Sequence, residues 1–280
     1  MQLKKTLFCL LVLLVATSLH AQRKDPDFSV LAFYTAKNDP AHISFVHEAN
    51  RWFSGMSKRY HFSYDSTQDW NQLAMPSLKK YQLVIFLDTR PDSGAQRAAF
   101  RQYMEEGGAW MGFHFSAFAL TRSDYPQNWN WYHEDFLGSG EYVSNTWRPT
   151  SARLRLEDRA HPVATRLPAV ITSSPNEWYR WKNDLRKNKD IKILASIDTS
   201  SFPLGTGPKP QEIWHSGYYP VVWTNTKFKM VYFNMGHNDI DYEHHTNKEL
   251  SLTFGNTDQD QLIMNCLLWL AGKNVRALMQ

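Results

Sequence analysis

Apolar and polar positions along the first half of the chain alternate between two patterns. Short apolar runs predict buried strands at 28–35, 83–87 and 109–115, because strands covered on both faces have few polar positions. An apolar residue every three to four positions predicts helices at 43–56 and 92–107, the second opened by a capping serine and stopped by a glycine. This strand–helix order predicts an α/β fold: a doubly wound, mostly parallel sheet with helices on both faces.

The second half of the chain has weaker but similar signals. Residues 116–150 break the pattern and are expected to form a long insertion over the strand ends. Further strands are predicted at 153–156, 191–197, 220–224 and 230–234. A helix is predicted at 258–271, and no linker or repeat interrupts the chain. We therefore expect residues 22–280 to form a single domain.

The first 21 residues have the features of a secretion signal. Lys4 and Lys5 precede an apolar run at 7–15. The small residues Ser18 and Ala21 follow this run, and they suit cleavage after Ala21. The run is too short to span a bilayer, and no later run in the mature chain is long enough. The sequence therefore predicts an exported protein, periplasmic or secreted.

Composition excludes several classes of function. Removal of the signal takes away Lys4 and Lys5, so the mature chain has 29 of the 31 basic residues and 27 acidic ones. This balance lacks the basic excess of nucleic-acid-binding proteins. The mature chain has one cysteine, Cys266, so no intramolecular disulfide can form. No glycine-rich phosphate loop occurs, and the sequence implies no particular cofactor. Assembly into oligomers is left open.

Three residues are candidates for catalysis. His114 follows a glycine at the carboxyl end of a predicted strand, where ligands collect in open α/β sheets. His237 follows Gly236 at the end of another predicted strand. Imidazoles titrate near neutral pH and suit proton transfer, while the aromatic residues around Glu177 can raise the pKa of its carboxyl group. The alternative is structural: histidines bonded to backbone in tight turns and a carboxylate that holds a loop.

Another set of residues is predicted to bind substrate. His42 opens the first helix, where its imidazole and free backbone N–H groups can reach a polar ligand. Aromatic side chains stack on flat ligands such as sugar rings, although core packing is their commoner role. The aromatic candidates are Trp129, Trp131, Trp147 and Tyr179.

The run 237–245 is rich in acidic residues and histidines. It lacks the ligand spacing of zinc sites and the full oxygen set of calcium loops. A solvated loop is the favoured interpretation, and no metal site is predicted here.

An ordered set of motifs gives the chain a family resemblance. The motifs are Gly107-Gly108 with Gly112-Phe113-His114, Trp131-Tyr132 with Phe136-Leu137-Gly138, His161-Pro162-Val163 with Leu167-Pro168, Glu177-Trp178-Tyr179, Pro220-Val221-Val222-Trp223, Tyr232-Phe233 with Gly236-His237, and Trp269-Leu270-Ala271-Gly272. In this set the chain resembles the trehalose-utilisation (ThuA-like) family from about residue 28 to 272. It departs from the pattern at Asn176, where an aspartate is usual, and at Ser139, where a second glycine is common.

The resemblance implies a flavodoxin-like fold related to the class I glutamine amidotransferases. In those enzymes a cysteine nucleophile occupies the turn where this chain has His114, so amidotransferase activity is not expected. The resemblance also implies a role in the catabolism of disaccharides or keto-glycosides, with a small carbohydrate as ligand. Two alternatives stay open: a non-catalytic carbohydrate-binding accessory protein and a metal-dependent hydrolase.

Overall fold

The computed structural model describes residues 25–120, 129–146, 148–201 and 217–278. Eleven strands lie in these ranges. They are β1 (Ser29–Phe33), β2 (Ser63–Thr67), β3 (Leu83–Phe86), β4 (Ala109–Phe113), β5 (Tyr142–Asn145), β6 (Arg153–Leu156), β7 (Val170–Thr172), β8 (Tyr179–Trp181), β9 (Ile191–Ile197), β10 (Pro220–Asn225) and β11 (Phe228–Phe233).

Five α-helices accompany the strands in the described ranges. They are α1 (Pro40–Tyr60), α2 (Met75–Leu78), α3 (Gly94–Glu105), α4 (Thr257–Leu270) and α5 (Val275–Leu278). A π-helical turn covers Trp131–Phe136. Among the residues described, no helix combines the length and the apolar character needed to cross a membrane.

Nine strands form one sheet in the order β2-β1-β3-β4-β11-β10-β9-β6-β7. The five strands from β2 to β11 are parallel, whereas those from β10 to β7 continue the sheet in antiparallel pairs. Strands β5 and β8 form a separate two-stranded ribbon. The predicted α/β fold class is confirmed, with the parallel strands gathered at one end of the sheet.

Alternate residues of the central strands enter two cores, one on each face of the sheet. In β1, Val30 packs into the core that contains α1 and α4, and Leu31 packs into the core that contains α3 and the π-helical turn. The same alternation places Leu83 on the first face and Val84 on the second. Both faces are therefore covered, which explains why these strands are almost purely apolar.

The ends of helix α1 differ from the prediction for a physical reason. Asp39 caps the helix by accepting hydrogen bonds from the N–H groups of Ala41 and His42, so the helix begins at Pro40. At the other end His61 adopts a left-handed conformation, φ 58°, which ends the helix. Strand β2 consequently begins only at Ser63. The predicted helices at 92–107 and 258–271 match α3 and α4 closely.

Four parallel strands place their carboxyl ends along one edge of the sheet. Because β1, β3, β4 and β11 are neighbours, the loops that follow them meet at this edge. In open α/β sheets this edge is where ligands bind.

Candidate functional site

His114 occupies the turn that immediately follows β4. Its backbone is in the left-handed region, φ 37°, which costs a residue with a side chain about 1–3 kcal/mol. The Tyr232 hydroxyl donates a 2.8 Å hydrogen bond to the His114 carbonyl and fixes this turn. Gly112 is required just before it, because a Cβ there would lie 2.1 Å from the Trp110 ring. The strained turn holds the imidazole buried at the strand end, 1% exposed.

The loops that carry Glu177 and His237 are joined by backbone contacts. The Asn234 amide makes two hydrogen bonds to the backbone of Tyr179, at 3.1 and 2.8 Å. The Glu177 N–H donates to the His237 carbonyl at 2.8 Å, and the Gly236 N–H donates to the Asn176 side chain at 3.2 Å. These bonds fix the carboxylate beside the end of β11. Asn176, a departure from the family pattern, therefore has a structural contact here.

The Glu177 carboxylate lies between two imidazoles. Its Oε2 is 3.3 Å from Nε2 of His114 and 3.5 Å from Nδ1 of His237. Its Oε1 accepts a hydrogen bond from the Asn145 amide at the end of β5. One ligand atom from each of the three residues lies within 4.8 Å of the others. Residues from three distant parts of the chain thus converge on one point, which we call the His114–Glu177–His237 centre.

Asp39 and His42 border this centre from the start of α1. Asp39 Oδ1 lies 3.3 Å from Nε2 of His237, on the side of the ring away from Glu177. The His42 ring lies 4.8 Å from the His237 ring and 5.5 Å from the His114 ring, measured between centroids. The Asp39 carboxylate therefore both caps the helix and orients His237.

Burial and mutual charge set the protonation of the centre. Burial lowers the pKa of His114 well below its usual value, and the nearby His237 lowers it further. Burial also lowers the pKa of His42, again with a contribution from His237. The pKa of His237 is raised instead: burial opposes its charge, but the hydrogen bond to Asp39 and the charge of Glu177 outweigh burial. Burial likewise opposes the charge of Asp39, yet His237 holds the pKa of that carboxyl below its usual range.

The centre opens into a cavity of about 620 Å³. Tyr179 and Phe115 supply aromatic walls, and the Tyr179 ring lies 3.9 Å from the His114 ring. A second cavity of about 430 Å³ shares Asp39, His42 and Phe115 with the first. Volumes of this order are those of small-molecule sites.

The comparisons with known proteins agree with this architecture. The model of the trehalose-utilisation family, ThuA, matches residues 29–253. The chain belongs to the ThuA family. Its structure is similar to that of a ThuA-like protein from Bacteroides uniformis ATCC 8492, with 31% sequence identity and a TM-score of 0.76 over 92% of this chain and 97% of the other.

A second ThuA-like protein, from Parabacteroides merdae ATCC 43184, shares the fold at 18% identity and a TM-score of 0.58, covering 89% of this chain and 92% of the other. No curated protein matches the chain. Membership of the ThuA family gives the chain a role in carbohydrate utilisation.

The structure brings five of the predicted ThuA site residues together. His114, Glu177 and His237 form the centre, and His42 and Tyr179 line the cavity beside it.

The predicted tryptophan platform is not at this cavity. Trp131 is buried in the core beneath the other face of the sheet, where its ring stacks on Phe136 at 5.2 Å. Trp129 stacks on Tyr132 in the same core. Neither tryptophan lines either of the two cavities. Trp147 lies outside the described residues.

The acidic and histidine-rich run divides into two parts. His237 belongs to the centre, while the loop 239–245 that follows contains turns at 240–244. The Asp241 carboxylate accepts hydrogen bonds from the N–H groups of Thr246 and Asn247, and His244 is exposed. Tyr242 and His245 help to line the cavity.

Several residues of the site were missed from the sequence. Asp39 precedes a proline at a helix start, and this capping pattern was a usable signal. Asp88 and Arg90 follow β3 at the same sheet edge and line the smaller cavity. Ligands bind at the carboxyl ends of the strands in open α/β sheets, so the residues after the predicted strand 83–87 could have been named as candidates. Asn145 gave no comparable signal, because its strand β5 has only four residues.

Proposed function

We propose that this ThuA-family protein binds a sugar or keto-glycoside in the 620 Å³ cavity and processes it at the His114–Glu177–His237 centre. The observation that carries the proposal is the convergence of these three polar side chains, two of them buried and His237 only 14% exposed, at the carboxyl edge of a parallel sheet. Buried polar groups without a structural task are costly, so a cluster of them in a cavity points to chemistry on a ligand.

The walls of the cavity suit a carbohydrate. Sugars present hydroxyl groups around an apolar ring face, so their sites combine hydrogen-bonding groups with aromatic surfaces. Here Asp39, His42 and Asn247 offer polar groups, and Tyr179 and Phe115 offer rings. The same mixture explains why a strictly apolar ligand is a poor candidate.

Thermal shift of residues 22–280 against sugars, glycosides and their 3-keto forms tests the proposal. A ligand present at 100 times its dissociation constant adds about 2.7 kcal/mol to the free energy of unfolding. We expect a selective shift with at least one keto-sugar or glycoside, followed by turnover of that compound. His114→Ala should abolish turnover, and His244→Ala, on the exposed loop, should retain it.

The outcomes separate an enzyme from an accessory binding protein. Binding without turnover in the wild-type chain would favour a carbohydrate-binding accessory protein. Turnover that survives in His114→Ala would overturn the assignment of the centre. No shift with any sugar would remove the carbohydrate proposal itself.

We also propose that the protein is exported and that residues 1–21 are removed. The support is the charged start, the apolar run and the small residues before position 22. Mass spectrometry of the protein recovered from a bacterial periplasm should give an N-terminus at Gln22. A chain that stays in the cytoplasm with Met1 intact would refute export.

A further inference from the structure

We propose that the His114–Glu177–His237 centre is a binding site for a divalent transition-metal ion such as Zn²⁺. This inference rests on the proposed function, because the ion would act on the sugar in the same cavity. Two histidine nitrogens and one carboxylate oxygen are a common ligand set for catalytic zinc, which leaves further positions for water or substrate.

The spacing of the three ligand atoms is close to that around a single metal ion. Ligands about 2.1 Å from one ion lie roughly 3.0–3.4 Å apart in octahedral or tetrahedral geometry. Glu177 Oε2 is 3.3 Å from His114 Nε2 and 3.5 Å from His237 Nδ1. One ligand atom of each residue lies within 4.8 Å of the others, so the two imidazoles must move closer together to share an ion.

The imidazole nitrogens that face the centre lack hydrogen bonds within the described ranges. Among the described residues, neither nitrogen of His114 has a hydrogen-bond partner, although the ring is 1% exposed. The same holds for Nδ1 of His237. His114 Nε2 is close to Glu177 Oε2 but not aligned for a hydrogen bond. Buried nitrogens in native proteins nearly always have a partner, and a shared ion would supply one to Nε2 of His114 and to Nδ1 of His237.

The residues behind the ligands also support a metal site. Metal-bound histidines usually donate their other ring N–H to a carboxylate, which fixes the ring. Nε2 of His237 lies 3.3 Å from the Asp39 carboxylate, which leaves Nδ1 directed to the centre. The Asn145 amide donates to Oε1 of Glu177, and Oε2 faces the two imidazoles. Two of the three ligands therefore have the supporting contacts of a metal site.

Isothermal titration calorimetry with ZnCl₂ on chelator-treated residues 22–280 tests the site without any sugar. We expect one Zn²⁺ per chain, and a loss of affinity of at least about 100-fold in both His114→Ala and Glu177→Gln, because supporting residues alone contribute 10–100-fold. Glu177→Gln keeps the size of the side chain, and thermal unfolding of each metal-free variant checks that it folds. The control His244→Ala should bind Zn²⁺ like the wild type.

Two results would overturn the metal site. The wild-type chain would bind no Zn²⁺, or the two folded variants would bind it as tightly as the wild type, which would locate the ion elsewhere. Sugar thermal shifts of the chelator-treated chain separate this failure from that of the proposed function. A sugar shift without Zn²⁺ binding would retain the sugar site and remove the metal.

Discussion

Two regions of this chain concentrate acidic and histidine side chains, and they differ in how those side chains are brought together. The loop 239–245 gathers them within seven consecutive residues, where Asp241 holds backbone N–H groups and His244 faces solvent. The His114–Glu177–His237 centre gathers three from positions far apart in sequence, all largely buried. A high density of acidic residues and histidines along the chain therefore does not by itself indicate a functional site. Side chains from distant positions that converge in a buried cavity do bring their ligand atoms to one point.

The largest expected effect distinguishes the acidic residues of the two regions, Glu177 in the centre and Asp241 in the loop. Glu177→Gln should lower sugar turnover by at least about 100-fold, because it removes the charge that faces both imidazoles. Asp241→Asn should keep turnover and lower the melting temperature, since the carboxylate holds the loop through backbone N–H groups. Turnover assays and thermal melts of both variants check this. Equal turnover losses would erase the distinction between the regions.

Two glycine substitutions compare the backbone beside the centre with the backbone at a position that has open space around it. Gly236→Ala should destabilise the fold by about 3 kcal/mol, because φ is 133° and the new Cβ would lie 3.1 Å from Phe45 and 3.3 Å from His114. Gly255→Ala has a similar strain, φ 98°, but meets nothing within 4 Å, so about 1–2 kcal/mol is expected. Urea unfolding measures both. A larger loss in Gly255→Ala would show that crowding at the centre is unimportant.

His133 is a buried histidine outside the centre, and it shows how burial changes the pKa of a histidine away from the site. Burial lowers its pKa to about 3, and the charge of Arg90 contributes. Because the folded pKa lies below that of the unfolded chain, stability is lost as pH falls from about 6.5 towards 3. At pH 5 the loss is about 2 kcal/mol relative to pH 7. His133→Gln should remove this part of the pH dependence, measured as the difference in unfolding free energy between pH 7 and pH 5. An unchanged difference would contradict a buried, neutral His133.

The smallest effect is expected on the loop. His244→Ala removes an exposed side chain whose nearest acidic partner is Asp241 at 3.6 Å. Its unfolding free energy should change by less than about 0.5 kcal/mol, as for most surface substitutions. Denaturant unfolding and sugar turnover both check this. A clear loss of turnover would give the loop a part in the chemistry.

The fold was largely predictable because burial controls its pattern. Strand β3 is covered on both faces, so 83–87 had to be apolar, and α4 had to present an apolar side to the sheet. The ribbon strands β5 and β8, of four and three residues, are too short to carry a period. They were accordingly missed.

The site was predictable where topology alone determines position. His114 and His237 follow strands, and parallel strands bring their ends to one edge, so both predictions needed only the strand order. The tryptophans show the limit of composition. Trp131 in a core and a tryptophan on a sugar platform have the same side chain, and only packing against Phe136 and Phe100 tells them apart. The contact between Asn145 and Glu177 depends on a ribbon that no sequence period revealed.

Anomalous diffraction from crystals of residues 22–280 grown with Zn²⁺ shows directly whether the His114–Glu177–His237 centre binds the ion. We expect a peak about 2.0–2.2 Å from His114 Nε2, His237 Nδ1 and Glu177 Oε2, with its open side towards the cavity. A peak only in the loop 239–245, or none at the centre at full zinc saturation, would contradict it.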